Sequence, residues 1–193
     1  METPVTIEHV KSLTDFNQNF LCEMKENIYN IKFLKFRVRD MDSGYVLFEV
    51  CDEGVEELRE ETSESKSAPE QTEDMANNSR TIKYHLGPEF LELKSIGTSL
   101  TFSVGALPVK NLVMIERHYF KGQLIKCFEF KFDFCIPNST NTWETIYIIP
   151  ELDANVKVEM IESPWETKSD SFYFVENKLI MHHKALYNYS LFE

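Results

Sequence analysis

Apolar and polar residues alternate with a period of two along most of this chain. Tyr29, Ile31 and Phe33 share one face, and then Leu34, Phe36 and Val38 continue in the opposite register. A slip of one residue inside a strand predicts a β-bulge. Asp42-Ser43-Gly44 supplies turn chemistry, and Tyr45–Val50 reads as the partner strand of a hairpin. Further alternations run through 82–86, 91–93, 100–104, 113–120, 143–149, 171–175 and 179–187. The clearest places Leu124, Lys126, Phe128, Phe130, Phe132, Phe134 and Ile136 on one face of a single strand. Helical spacing is brief by comparison. Leu152, Val156 and Met160 predict one short helix before Pro164, and Ile7, Val10 and Leu13 predict at most a short one near the start. About nine short strands without βαβ alternation predict an all-β fold, a two-sheet antiparallel sandwich with one short helix.

The organisation that follows is an N-terminal arm (1–25) and a β-sandwich (26–193), interrupted by a segment of different character (52–79). That segment holds ten acidic residues, two bases and no aromatic, which predicts a solvated loop or a partly helical insertion. It carries -8 of the formal net charge of -12, so the sandwich itself is only mildly acidic. Net negative charge disfavours nucleic-acid partners and anionic membrane surfaces. No apolar run is long enough for a spanning helix, and no secretory, myristoylation or prenylation signal is expected. Cys127 and Cys135 lie eight positions apart on one strand, too far for a disulfide, and reduced thiols in a cytoplasmic protein fit best.

Catalytic patterns are lacking: no G-x-S-x-G elbow, Gly-rich phosphate loop or H-E-x-x-H is found, so no catalytic residue, cofactor or metal is assigned. Glu116 and His118 share a strand face and read better as a salt bridge than as metal ligands. His182 and His183, adjacent in a strand, point to opposite faces. Ser171 and Tyr173 share one face, Phe172 and Phe174 the other. The chain has 15 Phe, 8 Tyr and 2 Trp, all outside the acidic segment. Pattern alone lets the row Phe128, Phe130, Phe132, Phe134 be either a packed core or the wall of an elongated apolar pocket.

Several collinear motifs carry a resemblance. They are Arg39-Asp40-Met41-Asp42-Ser43-Gly44, Val46–Glu49, Met114–Phe120, Phe134-Cys135-Ile136-Pro137, Asn141-Thr142 with Glu144, Ile146 and Tyr147, Glu166–Val175, Met181-His182 and Lys184-Ala185. From about Phe20 to Tyr189, apart from the acidic segment, the chain closely resembles the Unc-one-nineteen family, in the superfamily of the retinal phosphodiesterase delta subunit. The resemblance implies an immunoglobulin-like β-sandwich enclosing an apolar lipid cavity, and no catalysis. It implies a chaperone that takes up the N-terminal myristoyl or lauroyl group of proteins such as G-protein α subunits and carries them through the cytoplasm to membranes or cilia, as in sensory neurons. A GTP-loaded Arf-like small GTPase would release the cargo. The same resemblance assigns cargo contacts to Tyr119, Glu144, Ser171 and Tyr173 and makes the Phe row line or border the cavity. Trp143 and Thr145 depart from the family pattern, which often has Cys and His there, and this bears on cargo preference. The alternatives are a carrier of prenylated cargo and a plain interaction sandwich with a filled core.

Overall fold

The computed structural model describes residues 4–51 and 79–191; the acidic segment thus falls, but for Ser79, outside the described residues. Nine strands form two sheets: β1 (Lys32–Asp40), β2 (Val46–Cys51), β3 (Thr81–His85), β4 (Ser95–Ser103), β5 (Val109–Phe120), β6 (Gln123–Cys135), β7 (Thr140–Ile148), β8 (Thr167–Val175) and β9 (Lys178–Asn188). The strand order is β2-β1-β4-β7 in one sheet and β3-β9-β8-β5-β6 in the other. The sandwich expected from the alternation is therefore present, with one difference. β3 runs parallel to β9, while every other pair is antiparallel. A parallel pair needs a long connection, and residues 86–177 lie between β3 and β9.

The predicted bulge is found where the alternation slips: β1 shifts register against β4 between Phe33 and Lys35. Two tight hairpins have both central residues at positive φ, Lys121-Gly122 and Glu176-Asn177, the left-handed geometry that matches strand twist in two-residue turns. In the β1–β2 turn Asp40 accepts from the Ser43 amide at 3.0 Å and Gly44 takes φ 74°. Helix α1 (Ile7–Ser12) starts where Thr6 accepts from the His9 amide at 3.1 Å, and α2 (Ala154–Glu162) starts where the Asp153 side chain accepts from Asn155.

Two alternations do not become strands. Leu91 and Leu93 belong to a 3₁₀ turn over Pro88–Glu92 and its cap, because Gly87 at φ 75° and Pro88 redirect the chain. Ile28–Ile31 precedes β1 as a turn in which the Asn27 side chain bonds both the amide and the carbonyl of Ile31. Both place apolar side chains without ladder pairing.

The space between the sheets is filled unevenly. At one end Phe102, Val104, Val109, Leu112, Cys135, Val175 and Ile180 form a solid core. The other end is hollow. A second, outer cluster covers the back of the five-stranded sheet, where Val10 of α1 packs fully buried among Val113, Ile115, Phe172, Phe174 and Leu179.

Candidate functional site: an apolar cavity between the sheets

Alternation sends every second residue of each strand into the interior. In the four-stranded sheet these include Phe36, Leu100, Trp143 and Thr145; in the five-stranded sheet they include Met114, Glu116, Ser171, Tyr173 and His183. Together they enclose a cavity of about 520 Å³, within the range of small-ligand sites. Its most exposed apolar lining residues are Val50 and Ile82, at 50% and 44%. They lie on the edge strands β2 and β3, so the cavity opens where those two edges part. Phe48 and Tyr84 meet edge-to-face across this opening at 5.3 Å.

The two walls differ in chemistry. One rung of the four-stranded sheet reads Val50, Phe36, Leu100, Trp143 and is wholly apolar. A rung of the five-stranded sheet that also lines the cavity reads His183, Ser171, Glu116, Phe128 and is mostly polar. Glu116 accepts from the Tyr147 hydroxyl at 2.7 Å, and its other oxygen is 3.0 Å from His118 Nε2. Burial pushes the Glu116 carboxyl up, but the His118 imidazole and the Tyr147 hydroxyl outweigh it, and its pKa ends below the ordinary value. The cavity thus holds a carboxylate in a largely apolar surround, which fits a ligand that brings N–H donors. The Ser171 hydroxyl takes part in no hydrogen bond among the described residues, nor does that of Tyr173, whose pKa burial raises. His183 lies between Phe33 and Tyr173, with ring centroids at 5.2 and 5.8 Å. Burial lowers its pKa to about 4, so the imidazole is neutral.

The expected site residues divide in space. Ser171, Tyr173 and Phe128 line the cavity. Phe130 and Phe132 pack against the solid core, Phe132 lying edge-on to both Phe102 and Trp143, and Phe134 at the end of the row is half exposed. The row is therefore part wall and part core. Tyr119 lies on the other face of β5 from Glu116 and His118. There it is 1% exposed, accepts from Arg117 Nε at 2.9 Å and meets the Phe16 ring. Glu144 likewise points outward, between inward Trp143 and Thr145, and lies 3.6 Å from Arg39. The basic stripe Lys35, Arg37, Arg39 is a salt-bridged outer face, its first two members paired with Glu49.

Among the lining residues that the sequence does not assign to the site are Glu116, Tyr147 and Tyr84. A lone acid among apolar inward positions was the available signal at Glu116. The sequence pairs it with His118, whose Nε2 lies 3.0 Å away; its place on a cavity wall is not visible in the pattern.

The comparisons with known proteins agree with this architecture. The family of the GMP-PDE delta subunit matches residues 25–189. The chain is 45% identical over 185 residues to Protein unc-119 of Caenorhabditis elegans, covering 96% of this chain and 80% of that protein. It is 46% identical over 183 residues to Protein unc-119 homolog B of Homo sapiens (95% and 71%). It is 42% identical over 192 residues to Protein unc-119 homolog of Drosophila melanogaster (96% and 72%). An all-β sandwich, a hollow interior and identity sustained over nearly the whole chain place this protein in the unc-119 family, within the family of the GMP-PDE delta subunit.

Proposed function

We propose that this protein is a lipid-binding trafficking chaperone that holds the N-terminal myristoyl or lauroyl group of acylated cargo, such as G-protein α subunits, between its sheets. The observation that carries the reading is the cavity: mainly apolar on the four-stranded wall, with Glu116, Ser171 and Tyr173 on the other. An N-acylglycine presents a long alkyl chain followed at once by a carbonyl and an amide N–H. The Ser171 and Tyr173 hydroxyls, which no described residue bonds, suit the carbonyl. A thioether-linked prenyl group lacks that donor and acceptor at the head of its chain, which favours the acyl reading over the prenyl one. At about 0.8 kcal/mol per buried methylene, a 14-carbon chain gains roughly 10 kcal/mol before ordering costs. Affinity of that size implies slow release. A GTP-loaded Arf-like GTPase fits the role of release factor if it binds more tightly to a form with low affinity for the acyl chain; coupling of this kind is reciprocal. Delivery through the cytoplasm to membranes or cilia then follows from shielding the chain from water.

A fluorescent N-myristoyl-glycine peptide titrated against the full chain, beside a farnesylated peptide, tests this. Saturable binding of the myristoyl peptide, tighter than that of the farnesyl peptide, is expected. No binding of the myristoyl peptide at micromolar concentration would overturn the reading, and preference for the farnesyl peptide would replace it with the prenyl alternative.

A further inference from the structure

We infer that Trp143 is the stop that sets how long an acyl chain the cavity accepts. The inference rests on the acyl-binding reading above and adds its chain-length selectivity.

The opening lies at the β2 and β3 edges, where Val50 and Ile82 are exposed. The rung Val50, Phe36, Leu100, Trp143 then crosses the whole four-stranded sheet. It covers three inter-strand spacings of about 4.8 Å, roughly 14 Å in all. A chain entering at Val50 and following this apolar rung meets Trp143 last. Trp143 is 6% exposed and sits on β7, the edge opposite the mouth. Its ring packs edge-on against Phe132 of β6 at 5.6 Å, so the pair spans the gap between the two far edges.

Outside that gap is a second, shallow hollow lined by Phe132, Phe134, Thr142 and Glu144, and Trp143 lines this hollow too. The indole is thus the partition between the inner cavity and an outer depression. The other inward positions of β7, Thr145 and Tyr147, are held by hydrogen bonds to Thr98 at 2.6 Å and to Glu116 at 2.7 Å. The Trp143 indole makes no hydrogen bond among the described residues; packing alone holds it. Shortening it joins the cavity to the hollow without breaking a polar contact.

Peptides acylated on an N-terminal glycine with 10, 12, 14, 16 and 18 carbons, titrated against the unmodified chain and against Trp143→Ala, test the inference. For the unmodified protein, affinity should rise about fourfold per methylene while carbons are still being buried, then level off or fall once the chain reaches the indole. In Trp143→Ala that break should move outward by two carbons or more, raising the affinity ratio of the longer to the shorter chain across it by roughly tenfold. Because truncating a buried aromatic can unfold a protein, Trp143→Leu, which keeps an apolar side chain, is measured alongside, with circular dichroism to establish folding. A length profile that is the same in the folded variants and the unmodified protein overturns the inference while leaving acyl binding intact. If no chain length binds the unmodified protein, the acyl reading itself fails, and this inference with it.

Discussion

Tyr119 and the pair Ser171–Tyr173 look alike in the sequence, as hydroxyl-bearing residues in strands rich in aromatics, but the structure places them on opposite faces of the five-stranded sheet. Ser171 and Tyr173 face the cavity with hydroxyls that no described residue bonds and that remain open to a ligand. Ser171→Ala combined with Tyr173→Phe should weaken binding of a myristoyl-glycine peptide by about 2 kcal/mol, roughly 30-fold, and leave the melting temperature nearly unchanged. Tyr119 is buried behind the same sheet against Arg117 and Phe16. Tyr119→Ala should instead lower stability by about 3 kcal/mol or more, with peptide affinity unchanged at temperatures where the variant is folded. Melting curves and titrations on the same samples distinguish the two outcomes, and a loss of affinity in folded Tyr119→Ala would return that residue to the site. Strand parity explains the separation. Glu116 and Tyr119 are an odd number of residues apart, so at most one of them can face the cavity in an unbroken strand. The sequence motif containing both does not say which.

At the scale of elements, the N-terminal arm is tied to the back of the cavity wall by buried charged side chains. Arg117 donates to the carbonyls of Lys11 and Leu13, and Lys184 donates to that of Asn17. Asp170 accepts from the Asn17 amide at 3.0 Å. His182 is fully buried: its Nδ1 accepts from the Leu21 amide at 3.0 Å and its Nε2 lies 2.8 Å from Asp170. A backbone amide only donates, so Nδ1 carries no proton and the Nε2 hydrogen points to Asp170. Burial lowers the His182 pKa; Asp170 opposes this, Lys184 and Arg80 add to it, and the net shift is downward. The neutral imidazole is thus the form the fold favours. Its contribution is present in full above about pH 6.5, the ordinary value, and is lost progressively as pH falls below it. Acidification from pH 7.5 to 5.5 should therefore speed hydrogen exchange at the Leu21 amide, after correction for intrinsic rates, more than at amides of β5. His183 also favours its neutral form, with a pKa near 4, but it faces the cavity and does not touch the arm. His182→Gln should abolish the differential, and an equal response at Leu21 and β5 would show that the histidine does not hold the arm. In the sequence the arm read only as a polar segment with a weak helical signal. Its docking depends on Arg117, Asp170 and Lys184, charged residues whose burial could not be read from strand alternation.

For the molecule as a whole, a half-hollow sandwich gives up core packing to keep a ligand-sized space, so a ligand that fills it should stabilise the fold. At a hundredfold excess over its Kd, a one-site ligand adds about 2.7 kcal/mol. For a chain of this length that raises Tm by roughly 5–10 °C. Calorimetry with and without a myristoyl-glycine peptide should show that rise, and a non-acylated peptide of the same sequence should show none. An equal shift with both peptides would mean that the alkyl chain is not what the cavity holds. Most of the strands, the bulge at Phe33–Lys35, the opposed faces of His182 and His183, and the pairing of Glu116 with His118 were determined by the sequence alone, whereas the alternations at 28–31 and 91–93 became turns. Each depends on local periodicity, which the backbone enforces residue by residue. Whether the aromatic row was core or cavity wall, and which of Tyr119 and Glu116 faced the interior, were decided only by tertiary structure. A packed interior and a lined void use the same apolar residues, and the difference lies in the distance between two sheets, which no single strand encodes.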